Sequence, residues 1–112
     1  ISESDFHLFE LVENLDEVVE KINRFYFRYH SLRYIDDKAV LRLTSSIPID
    51  RINALKSTFS DMMIPGGNMY LSGPLPPEKD EPEISHLPRL VVDFNRKSFA
   101  RLRQLIDAVN QD

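Results

Sequence analysis

Histidines, a pair of aspartates, a Pro-Gly-Gly turn and a basic cluster are the features of this sequence that could do chemistry. The histidines are His7, His30 and His86. A metal ion needs several converging ligands, commonly two histidines at i and i+4 or across a short loop. None of the three stands at that spacing from another, so no metal site is expected. His30, expected at the end of the first helix, is placed to meet the negative end of that helix's dipole. Asp36 and Asp37 are adjacent carboxylates. Acid–base work needs one carboxyl desolvated and its neighbour not. Two aspartates at a hairpin tip are both wet, and turns favour Asp because its side chain bonds to the local backbone. Pro65-Gly66-Gly67 has the composition of a phosphate-cradling loop, but such loops follow a strand and open a helix. This one follows a helical stretch and precedes a strand, which reads as a helix stop. No acid, base and nucleophile set can be assembled, so the chain by itself is read as non-catalytic.

Arg96, Lys97, Arg101 and Arg103 gather at the start of the last helical stretch. Free N–H groups, the helix dipole and guanidinium groups all favour negative charge there. These four are the expected anion site, with a small ligand such as a nucleotide; a solvated helix face paired with the acidic loop is the plainer reading. Phe25, Tyr26, Phe27 and Tyr29 crowd one turn and a little more. Phe27 lies off the apolar stripe and is the expected docking point for another domain or a second copy. Val40, Tyr70 and Val91, on a sheet face expected to be open, are the other expected contacts.

The elements that position these residues follow from hydrophobic period. Residues 1–13 hold apolar Phe6, Leu8, Phe9, Leu11 and Val12 without a clean period, and read as a linker or the tail of a preceding domain. Residues 14–112 read as one domain. Asn14 with Glu17 three residues on suits a capping box. Leu15, Val18, Val19, Ile22, Phe25, Tyr26 and Tyr29 then recur at helical spacing. Residues 32–43 alternate about the acidic turn Asp36-Asp37-Lys38, a β-hairpin. Pro48 opens a second helix carrying Ile49, Ile52, Leu55, Phe59 and Met62/Met63. Met69 and Leu71 make a short strand. Residues 73–88, rich in proline and acid, read as a long solvated loop. Leu90, Val92 and Phe94 alternate as a strand. Asn95 or Ser98 caps a last helix with Phe99, Leu102, Leu105, Ile106 and Val109.

The order is α-ββ-α-β-β-α. It predicts an α+β fold: a four-stranded antiparallel sheet with helices mainly on one face, a ferredoxin-like or ACT-like sandwich. The 112 residues are 42% hydrophobic, enough for one core. The net charge of -4 opposes phosphate-backbone binding, and Tyr34 and Tyr70 are too few for an RNA-stacking sheet, so no nucleic-acid partner is expected. No apolar run reaches the roughly 18 residues of a membrane span. The chain has no cysteine, which excludes disulfides and thiolate metal sites and agrees with a cytoplasmic setting. No cofactor is expected.

Several runs resemble a known family. They are Phe25-Tyr26-Phe27-Arg28-Tyr29-His30-Ser31-Leu32-Arg33-Tyr34, Leu41-Arg42-Leu43, Leu87-Pro88-Arg89-Leu90, Phe94-Asn95-Arg96, and the stretch from Arg101-Leu102-Arg103 to Ala108-Val109-Asn110. Together they resemble the C-terminal extension of bacterial Lonely-guy (LOG) family proteins, over nearly the whole chain. That family has a Rossmann-like core and includes nucleoside 5′-monophosphate phosphoribohydrolases. Its catalytic motif continues Pro-Gly-Gly with Gly-Thr and a later Glu; here Asn68-Met69-Tyr70 follow, so no catalytic residue carries over. The resemblance implies an accessory domain that packs on a parent core, supports its oligomer or shapes access to its active site.

Overall fold

The computed structural model describes residues 15–111, so the lead-in over 1–13 and the expected Asn14 cap lie outside the described residues. Helix α1 spans Leu15–Phe25 and is followed by strands β1, Tyr29–Ile35, and β2, Lys38–Leu43. Helix α2, Ile49–Thr58, runs into a 3-10 turn over Ser60–Met62. Strand β3 is Met69–Ser72, two further 3-10 turns occupy Pro76–Asp80 and Pro82–Ile84, β4 is Arg89–Asp93 and helix α3 is Phe99–Val109. The fold is α+β in the expected order.

The four strands form one sheet in the order β1-β2-β4-β3, and every neighbouring pair is antiparallel. Strands β2 and β3 are each antiparallel to β4 and so run parallel to one another, joined through α2 with β4 inserted between them, the connection of a split βαβ unit.

Strand period divides the sheet into two faces. Leu32 lies opposite Leu41, Leu41 opposite Leu90, and Leu90 opposite Leu71. With Ala39, Leu43, Met69 and Val92 they form the face that α2 and α3 cover. Ile52 and Leu55 of α2, Phe59 after it, and Leu102, Leu105, Ile106 and Val109 of α3 complete this core. Their i, i+3, i+4 and i+7 spacing places them on one stripe per helix.

Three local expectations are corrected. Helix α1 ends at Phe25 rather than running to Tyr29. The N–H groups of Arg28 and Tyr29 donate to Asn110 Oδ1 at 2.8 and 2.9 Å, and Arg28 Nη1 donates to the Val109 carbonyl at 2.8 Å. That tie draws the chain out of the helix into β1, so His30 stands on an exposed strand position, with Nδ1 2.8 Å from Ser31 Oγ. Pro65-Gly66-Gly67 does not stop α2, which has already ended at Thr58. Gly67 N–H donates to Ile64 O at 2.8 Å, and Gly66 has φ 74°: Pro then Gly at the centre of a type II turn. The 73–88 segment is no solvated loop. It lies as a strap across the second sheet face, with Leu75 against Ile35, Val40 and Val91.

Candidate functional site

The second face is where the charges are. Period 2 puts Ser31 and Arg33 of β1, Arg42 of β2 and Arg89 of β4 there, Arg42 directly across from Arg89. Two arginines side by side repel unless an anion is supplied, and the strap supplies it. Glu78 accepts from Arg42 Nε at 2.8 Å and from Arg89 Nε at 3.3 Å on both carboxylate oxygens. Arg89 Nη2 stands 3.2 Å from Glu78 Oε2 without the alignment of a hydrogen bond. Glu78 Oε1 also accepts the Leu75 N–H at 2.9 Å, and Arg89 Nη1 donates to the Ile84 carbonyl at 2.8 Å and to that of Leu87.

Outward from this centre, Arg42 pairs with Glu81 and donates to Ser31 Oγ at 3.1 Å. Arg33 bridges Asp80 at 2.7 Å and Glu81 at 3.1 Å. The side chains of Arg42, Arg89 and Glu78 are 3%, 0% and 0% exposed. Burial pushes the Glu78 carboxyl up, but the Leu75 N–H and the two guanidinium groups hold it below its ordinary value. Arginine does not deprotonate in proteins, and a carboxylate held ionised is no proton donor. The cluster therefore clamps the strap; it does no acid–base work. It was legible only in part: three arginines at in-register positions of otherwise apolar strands call for anions, but nothing local says which.

The expected anion site is not brought together. Arg96, with φ 57°, donates to the Asp36 carbonyl at the hairpin tip, its guanidinium 5.8 Å from the Tyr34 ring centroid. The N–H groups of Lys97 and Ser98 donate to Asn95 Oδ1 at 2.9 and 3.0 Å. Asn95 thus occupies two donors that an anion would need. Arg101 turns to α2, pairing with Asp61 at 3.1 Å, donating to the Thr58 carbonyl at 2.6 Å, and lying 4.4 Å from the Phe59 ring centroid. Arg103 points to the other side, 4.6 Å from the Phe25 ring centroid and 3.4 Å from Asp107.

Of the expected contact residues, Phe27 is exposed. Val40 and Val91 are fully buried and Tyr70 partly so, because the strap covers the face expected to be open. Among the described residues no His, Asp or Glu group is arranged around a metal position, and no helix is long and apolar enough to cross a membrane. His86 is exposed, and His7 lies outside the described residues.

Helix α1 supplies the unexpected surface. Its apolar stripe faces outward: Leu15, Val19, Ile22 and Tyr26 are 46–58% exposed, and no residue of the helix is buried. Phe25 at its end packs against the core. Phe27 continues the exposed apolar surface past the helix. No family model, curated protein or solved structure matches this chain.

Proposed function

We propose that this chain is a non-catalytic accessory domain of a larger, cytoplasmic LOG-type protein and docks on its parent through α1. The observation that carries this reading is the outward apolar stripe of α1. An isolated helix of 11 residues falls short of the roughly 12–15 needed for marginal stability in water, so its stability must come from packing. Among the described residues, Phe25 at its C-terminal end is the part of α1 that packs against the core. Covering Leu15, Val19 and Ile22, each already about half covered, would contribute about 1–1.5 kcal/mol per side chain, roughly half of the full-burial value. The resemblance of the Phe25–Tyr34 run and the α3 sequence to the extension of LOG proteins supplies the partner's class, a Rossmann-like core.

Hydrogen exchange of the α1 amides, in the 112-residue chain and in the natural gene product, tests this. Docking predicts slow exchange at Val19 and Ile22 in the gene product and fast exchange in the chain alone. Val19→Asp/Ile22→Asp should leave the chain's own melting temperature unchanged, both sites being exposed, and abolish the protection in the gene product. Equal exchange in the two proteins would overturn the proposal.

A further inference from the structure

Helices α1 and α3 flank a cleft of about 700 Å3 lined by seven residues, among them Lys21, Arg24, Phe25, Arg103, Asp107 and Asn110. Cavities of roughly 300–1,000 Å3 suit small ligands. Three of the seven side chains are cationic and one is anionic, in a chain whose net charge is -4, so positive charge is concentrated here against the overall balance. The Arg24 side chain has no ion pair or hydrogen bond among the described residues. The other two cations are held weakly. Lys21 pairs with Glu17 at 3.3 Å and Arg103 with Asp107 at 3.4 Å, both exposed i,i+4 pairs. Such pairs contribute only about 0.3–0.5 kcal/mol, so a doubly charged oxyanion meeting two guanidinium groups would displace them. Arg103 is already fixed over the Phe25 ring, which reduces the ordering that binding must impose.

We infer that this cleft binds the phosphate group of a small phosphorylated molecule, with Arg24 and Arg103 as its guanidinium clamp and Lys21 as the third cation. This differs in place from the cluster at the start of α3, whose donors are already occupied. The cleft also abuts the α1 stripe: Lys21, Phe25 and Arg103 line a second hollow with Val18, Ile22 and Tyr26. A bound phosphate would therefore sit at the seam of the docking face, where ligand sites gather. The inference stands apart from docking, since the chain alone supplies every residue named.

The test is a backbone-amide NMR titration of the 112-residue chain with pyrophosphate, at constant ionic strength set by chloride. Saturable shifts are expected around Arg24, Phe25 and Arg103. Arg24→Gln/Arg103→Gln should weaken binding by about tenfold or more with an unchanged far-ultraviolet spectrum, and Lys97→Gln should leave the affinity as it was. Asp107→Asn, which removes the one carboxylate of the cleft, should tighten binding, an effect that a purely structural role for these residues does not produce. Absence of saturable shifts, shifts centred on Arg96 and Lys97, or full affinity in Arg24→Gln/Arg103→Gln would overturn the assignment.

Discussion

Glu78 is the residue on which the second face of the sheet depends. Its carboxylate neutralises two arginines that are almost completely shielded from water. Glu78→Gln keeps the shape and removes the charge, leaving Arg42 and Arg89 with less compensation. Breaking a buried pair from one side costs about 3–5 kcal/mol, and urea unfolding at pH 7 should show a loss of that order. Asp80→Asn, at an exposed pair with Arg33, should leave the midpoint nearly unchanged. The pH dependence follows from the direction of the shift. Because the native carboxyl of Glu78 lies below its ordinary value, its stabilisation is complete above the unfolded pKa of about 4.3 and is lost as pH falls through the native value. Asp93 adds in the same sense: burial raises it, but Lys38 and the Asn68 N–H hold it below its ordinary value. The stability gap between the parent and Glu78→Gln should therefore narrow below about pH 4.

Among the elements, the strap behaves unlike its composition. Its five prolines (Pro74, Pro76, Pro77, Pro82 and Pro88) forbid a regular strand or helix interior. They permit the two 3-10 turns, each with Pro at its start, and these turns aim Glu78 inward while Asp80 and Glu81 meet Arg33. Lys79 is exposed within this segment. A solvated loop would be cut there by trypsin at once, whereas the clamped strap should resist, and Glu78→Gln should make it sensitive. Rapid cleavage of the parent would show that the strap is not held. Helix α3 makes the opposite use of its sequence: its apolar stripe is the core, and Leu105, fully buried, should cost about 2–5 kcal/mol on replacement by Ala.

At the scale of the molecule, two layers share one sheet: helices over the apolar face, the strap over the charged one. The ends of the described chain are tied together by Asn110, which is buried after α3 and accepts from Arg28 and Tyr29, more than 80 residues earlier. It also donates to the Phe25 carbonyl. Asn110→Ala would strand these backbone groups, at a cost of about 1–3 kcal/mol for each one left without a partner. It should speed exchange at the start of β1 while leaving β4 protected. Uniform loss of protection across the sheet would mean that the tie is no local lock. The same architecture leaves α1 with its apolar side outward, and that asymmetry is what the docking proposal rests on.

Local pattern determined the elements and their order. Period 2 marked β2 and β4 and period 3.6 marked α2 and α3, because each signal depends on residues within a few positions of one another; Pro65-Gly66-Gly67, read as the stop of α2, lies beyond the helix end at Thr58. Tertiary contact decided the rest. A stripe such as that of Leu15, Val19 and Ile22 shows that a face is apolar, not whether this chain covers it, and here it does not. Arg42 meets Glu78 across 36 residues, and Arg28 meets Asn110 across 82. Ion pairing and the end of a helix at such separations depend on how the chain folds back on itself, which no window of neighbouring residues contains. The expected site at Arg96, Lys97, Arg101 and Arg103 shows the same limit: residues adjacent in sequence were turned by helix geometry and by their partners toward the hairpin tip, α2 and α1.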